Sequence, residues 1–175
     1  MRAGLAEMAR RGIALSGLYP ATQPVYRRLG WEIAGVRQQW RLSTSSLALG
    51  ERSPRVRRML SEDEPAVRDC YRRWAAPRAG QLDRIDWCWR RVMLSPESTV
   101  RGYVVDAPRR GIEGYVVLTR EPASGLRSTL VVRDLVALTP RALRRLLSLL
   151  GDHRSIAPSA RVHLCPGDAV FAQTA

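Results

Sequence analysis

Apolar residues recur at helical spacing near the start of the chain, where Leu5, Met8 and Ala9 share one face before Gly12, and this predicts a helix over residues 2–11. No Ser, Thr, Asp or Asn precedes it, so it reads as a helix entered part-way. Ile13–Tyr19 is a short apolar run closed by Pro20 and predicts a buried strand. Thr22 as N-cap and Gly30 as stop bracket a short helix. From Trp31 to Leu42 the period is two, with an irregularity at Ala34 and Gly35, and a long strand is predicted.

Residues 43–55 are mostly small or polar and carry Gly50 and Pro54, the composition of a linker. Beyond it, Val56–Leu60 predicts a strand. The SEDE run at 61–64 predicts a capping box made by Ser61 and Glu64, opening a helix that buries Val67, Cys70, Tyr71 and Trp74. Asp83 is placed to cap a second helix running to about Met93. Three strands, Thr99–Asp106, Gly114–Arg120 and Ser128–Ala137, are joined by the turns APRRG and EPASG and predict an antiparallel meander. Thr139 and Pro140 open a helix with a stripe of Leu143, Leu146, Leu147 and Leu150, stopped by Gly151. Arg161–Cys165 predicts a last strand, and the tail from Pro166 has no assigned element.

The expected fold class is α/β, a mixed sheet flanked by helices. The expected division is 1–45, a linker at 46–55, and 56–175. With 175 residues and 45% hydrophobic content the chain can bury a substantial core. No stretch approaches eighteen uninterrupted apolar residues, and MRAGLAEMARRG lacks the apolar centre of a secretory signal, so no membrane partner and a cytoplasmic location are expected. Three separated cysteines outside any CxxC pair suggest neither a disulfide framework nor a zinc site. His163 and Cys165 share a strand face, but two groups do not make a metal site, and none is expected.

The net charge of +13 would draw polyanions. All 29 basic residues are arginine, however, and the doublets, among them Arg27 with Arg28 and Arg109 with Arg110, are spread along the chain. That is the pattern of a coding bias with solvated helix faces, and no specific nucleic-acid partner is expected.

The stretch GLYPATQPVYRRLGWEIAG, residues 17–35, resembles the Eis (enhanced intracellular survival) family of tandem acetyltransferases in the GNAT superfamily, where a Y-x-R-[FL]-G-[YW] segment follows the fifth strand. Residues 66–93, 114–120 and 130–150 follow in the family's order. The resemblance implies the closing half of one GNAT unit followed by most of a second, cut before the pyrophosphate loop at one end and before the last elements at the other. It also implies acetyl transfer from acetyl-coenzyme A, as co-substrate, to an amine that is either a small polyamine-like molecule or a protein lysine, and a homo-oligomer in the full-length form.

Tyr26 matches the family's tyrosine, which implies the acid that protonates the departing thiolate, a role favoured over that of a packed tyrosine with a satisfied hydroxyl, and Tyr19 is the weaker candidate. Arg27 and Arg28 could meet a coenzyme phosphate or remain solvated. The second unit's strand-to-helix join reads DLVALTPRALRRLL without glycine, so a backbone cradle for pyrophosphate is not expected there. The family's terminal-carboxylate base belongs to a further domain, and Ala175 does not inherit that role. Asp83 with Asp86 reads as capping before it reads as an acid/base pair, and Trp31, Trp40, Trp74, Trp87 and Trp89 pack the core or line an amine pocket. A non-catalytic GNAT-like scaffold remains the alternative to an enzyme.

Overall fold

The computed structural model describes residues 1–107, 111–123, 125–165 and 168–174. The middle of the APRRG turn with Arg109 and Arg110, one residue of the EPASG turn, Pro166 and Ala175 lie outside the described residues. The chain divides into two units, Met1–Val36 and Arg37–Ala175.

In the first unit, helix α1 (Arg2–Arg10) has no side-chain cap at Met1 and gives way to Gly12 at φ +69°. Helix α2 (Gln23–Arg27) begins after Thr22 in an extended conformation, with Pro24 in its first turn, and Gly30 turns the chain away at φ +92°. Thr22 occupies the N-cap position but its hydroxyl makes no capping bond. The strand expected over Ile13–Tyr19 does not form, and Leu15 is 90% exposed. The long strand expected from Trp31 is likewise confined to its far end, in the second unit. Alternating apolar positions show what a strand could bury; a strand also needs a ladder partner, and neither Ile13–Tyr19 nor residues 31–38 enter a ladder among the described residues.

The second unit holds strands β1 (Gln39–Ser43), β2 (Val56–Arg58), β3 (Arg101–Asp106), β4 (Ile112–Pro122), β5 (Ser128–Ala137) and β6 (Ser159–His163). Helices α3 (Glu64–Ala75), α4 (Asp86–Met93), α5 (Pro140–Gly151) and α6 (Ala169–Thr174) flank them. The described strands form one sheet in the order β1-β6-β5-β4-β3-β2, antiparallel except for the parallel pair β5–β6, which α5 connects. The predicted meander is β3-β4-β5.

Alternation along β4 sends Val116 and Leu118 to the α5 side, where they meet Leu146, Leu147 and Leu150, and sends Tyr115 and Val117 to the α3 side with Val67, Cys70 and Trp89. The leucine stripe of α5 is buried as its spacing requires, and the Thr139 hydroxyl accepts from the Ala142 N–H at 3.1 Å. Two irregularities mark β5. Arg133 is the extra residue of a bulge, since Val117 faces Asp134 while Leu118 faces Val132. Pairing of β5 with β6 stops at Val131 opposite Arg161, so β5 runs on to Ala137 without its parallel neighbour.

Several local expectations are corrected. The chain enters α3 through a 3-10 turn at Ser61–Asp63, which shifts the register, so the Asp63 carboxylate rather than Glu64 accepts from the Leu60 N–H at 2.8 Å. Glu64 instead accepts from Arg68, one turn on. Helix α4 starts at Asp86 with Ile85 at its N-cap, leaving Asp83 outside it. The tail forms α6, which buries Val170 and sets Phe171 edge-on to Trp40 at 4.8 Å between centroids. Residues 46–55 are packed against the unit: Leu47 is 1% exposed, the Glu51 N–H donates to Ser148 Oγ at 3.1 Å, and Arg52 pairs with Asp152 at 2.9 Å.

Arg57 ties β2 to both neighbours, donating to Asp63 at 2.6 and 2.8 Å and to Asp106 at 3.0 and 3.1 Å. The Arg57 guanidinium holds the Asp63 carboxyl below its ordinary value, against the opposing effect of burial. A depressed folded-state pKa stabilises the fold above the unfolded carboxylate range, and that contribution is lost as pH falls through the folded value. Urea midpoints are therefore expected to drop as pH falls below about 5, and Asp63→Asn is expected to lower the midpoint at neutral pH and flatten that acid limb. An unchanged limb in Asp63→Asn would assign the acid sensitivity elsewhere.

Candidate functional site

Tyr26 sits in the last turn of α2, half-buried, with its ring edge-on to Trp31 at 6.0 Å. The turn through Gly30 brings the two together: the Trp31 N–H donates to the Tyr26 carbonyl at 3.3 Å. Arg27 points elsewhere, pairing with Glu32 at 3.3 Å with its side chain 59% exposed, and Arg28 forms the exposed C-cap. Consecutive helical positions diverge by about 100°, so this helix fixes the tyrosine ring and leaves both guanidiniums at the surface.

At the β5–α5 junction of the second unit two of the helix's first amides are committed. Pro140 has no N–H, the Ala142 N–H is taken by the Thr139 hydroxyl, and the Leu143 N–H by the Thr139 carbonyl. The join carries no glycine, so its backbone has less freedom to close on a pyrophosphate.

On the opposite face of the sheet, the bulge at Arg133 turns Asp134 into a site that sequence reading missed. Arg84, from the segment between α3 and α4, donates to Asp134 Oδ2 at 2.5 Å and Oδ1 at 3.1 Å, and the Tyr115 hydroxyl donates to Oδ2 at 2.8 Å. The side chains of Arg84 and Asp134 are 16% and 10% exposed. The Arg84 guanidinium lies 3.7 Å from the Tyr71 ring centre and 5.1 Å from that of Trp89. Burial, together with the Asp134 charge, pushes the Tyr115 phenol well above its ordinary value, and burial pushes the Cys70 thiol up to about 12. Arg133 itself donates to the Val92 and Leu94 carbonyls, both at 2.9 Å, and so ties off the end of α4. Arg84 and Asp134 lie 50 residues apart, and no spacing rule connects them.

Three of the five tryptophans weighed as an amine pocket face the chain's own cations. Arg84 and Arg68 lie over Trp89, Arg78 over Trp74 and Arg91 over Trp87, while Trp31 meets Tyr26 and Trp40 meets Phe171. Asp86 is bound by Arg68 at 2.6 Å, with its carboxyl held below its ordinary value by that guanidinium. Asp83 lines a cleft beside Tyr71, so the two acids take different surroundings. Among the described residues no group of three His, Cys, Asp or Glu could hold a metal ion, and no helix is long and apolar enough to cross a membrane.

The family described as "Acetyltransferase (GNAT) domain" matches residues 80–174, more than half of the chain, and a second family of the same description matches residues 1–34. The chain belongs to the GNAT acetyltransferase family. Its fold agrees with solved GNAT proteins. A GCN5-related N-acetyltransferase from Anabaena variabilis superposes with a TM-score of 0.87 at 28% identity, over 98% of this chain and 44% of that one. A GCN5-related N-acetyltransferase from Kribbella flavida gives 0.80 at 29% identity, over 99% and 42%. Eis1 from Mycobacterium abscessus gives 0.59 at 24% identity, over 91% and 42%, a likeness of fold. This GNAT chain thus spans less than half the length of these solved relatives. No curated protein matches it.

Proposed function

We propose that the chain is part of an Eis-like, acetyl-coenzyme A-dependent N-acetyltransferase, with closing elements of a catalytic GNAT unit in Met1–Val36 and a structural GNAT unit in Arg37–Ala175. The observation that carries this reading is the pair of GNAT matches, one on residues 1–34 and the other on 80–174. Its acceptor is a small polyamine-like amine or a protein lysine, its setting is the cytoplasm, and its full-length form is a homo-oligomer.

Acetyl-coenzyme A, when bound, supplies the acetyl thioester and leaves as the free thiol. Tyr26 is the residue of this chain that would hold a proton for the departing sulfur, its ring steadied by Trp31. Arg27 or Arg28 would meet a phosphate from the exposed side of α2, Arg27 at the cost of a solvent-exposed pair with Glu32 that is weak enough to exchange. The glycine-free join and the commitment of the Ala142 and Leu143 amides support a second unit without coenzyme of its own.

Isothermal titration tests the reading. Acetyl-coenzyme A is expected to saturate a single site in this chain joined to the preceding half of a GNAT unit, with the same stoichiometry after Thr139→Ala. An extended chain that binds no acetyl-coenzyme A would instead support the non-catalytic scaffold.

A further inference from the structure

Beside the Arg84–Asp134 pair, helix α3, the segment leading to α4, and Trp89 enclose a cleft of about 510 Å³. That volume lies in the range of small-molecule sites. Its apolar lining includes Tyr71, Leu82 and Trp89. Its charged lining is one-sided, since Arg68, Arg72, Arg78 and Arg84 face it and Asp83 is the one carboxylate among the lining residues.

The four guanidiniums differ in how far they are neutralised. Arg84 is bound by Asp134, Arg68 by Glu64 and Asp86, and Arg72 by Asp69. Arg78 rests on the Trp74 ring at 4.7 Å and donates to the Trp74 carbonyl, contacts that offset no charge. A cationic amine would meet like charge here, and the ring faces it would use are already covered by Arg84 and Arg68. An anion has Arg78 to pair with, and Arg72, whose side chain is 75% exposed, beside it.

We propose that this cleft binds a small organic anion, a carboxylate on a flat apolar body, with the carboxylate on Arg78 and Arg72 and the body against Leu82 and Ala76, the exposed apolar residues of the lining. The site lies wholly within the second unit and is independent of the acetyl-transfer reading. It would give a unit without its own coenzyme a ligand of its own.

The test uses three probes of one shape and different charge, titrated into the 175-residue chain with intrinsic tryptophan fluorescence as the readout: 2-naphthoate, 2-naphthamide and 2-naphthylmethylamine. Saturable binding of 2-naphthoate is expected, with the amide weaker by on the order of tenfold and the amine weaker again. Arg78→Gln is expected to weaken 2-naphthoate about three- to fivefold and leave the amide unchanged, and Arg72→Gln to do so to a smaller degree. Equal affinity for the three probes, or no saturation by 2-naphthoate, would overturn the proposal, and the charge series on the unaltered chain decides it even if a variant folds poorly. Insensitivity of 2-naphthoate to both substitutions would place any anion site elsewhere and equally overturn it.

Discussion

Replacing Asp134 by alanine is expected to destabilise the second unit by about 3–5 kcal/mol, read as a lowered urea midpoint by tryptophan fluorescence. The size follows from what is left behind. The Arg84 guanidinium cannot shed its proton in a protein, and its side chain is only 16% exposed, held against Tyr71 and Trp89. Without the carboxylate that charge is buried without a counter-ion, and the Tyr115 hydroxyl loses its acceptor as well.

The double substitution Arg84→Met with Asp134→Leu is expected to cost much less, because it removes both charges and fills the space with apolar groups. A loss below about 1 kcal/mol for Asp134→Ala would mean that solvent screens the pair, and the description of Arg84 and Asp134 as a buried latch would be wrong.

Leu47→Ala is the second large effect, expected at about 2–5 kcal/mol. Leu47 is 1% exposed and packs in the cluster that holds Leu146, Leu147 and Leu150 of α5. The backbone beside it runs so close to α5 that a methyl group at Gly151 would sit 2.5 Å from the Ala48 Cα. Gly151→Ala should therefore cost about 1–3 kcal/mol through overpacking, although alanine is the better helix former by about 1 kcal/mol. Limited proteolysis should cut within residues 46–55 faster in both variants. Were this segment a free spacer, Leu47→Ala would stay within about 0.5 kcal/mol of the parent and cleavage would not change.

How much of this could be read from the sequence depends on the range of the interaction involved. The α5 stripe, its Thr139 cap and the β3-β4-β5 meander follow from periodicity and end signals within a few residues, and they stand where predicted. Residues 46–55 look like a linker because two leucines in a polar run carry no period, and only the groove along α5 reveals that Leu47 is core. The strand expected over Ile13–Tyr19 shows the converse: its side chains suit a strand, but a ladder partner is not written in the segment itself.

The candidate residues divide in the same way. Tyr26 is visible as part of a local family motif, and its place beside Trp31 is a local turn. The Arg84–Asp134–Tyr115 group joins three separate elements through a one-residue bulge at Arg133, and nothing in the linear order announces it. Even so, the GNAT fold is legible, because it rests on the order of elements and not on any one contact.

The central claim is that Tyr26 serves acetyl transfer in the first unit, and the most direct measurement compares Tyr26→Phe with its parent for transfer of acetyl from acetyl-coenzyme A to a polyamine. Both are assayed in this chain joined to the preceding half of a GNAT unit. The account predicts turnover by the parent and a loss of kcat on the order of a hundredfold in Tyr26→Phe, with acetyl-coenzyme A binding retained. An unchanged kcat in Tyr26→Phe would contradict it and leave Tyr26 as a tyrosine packed against Trp31.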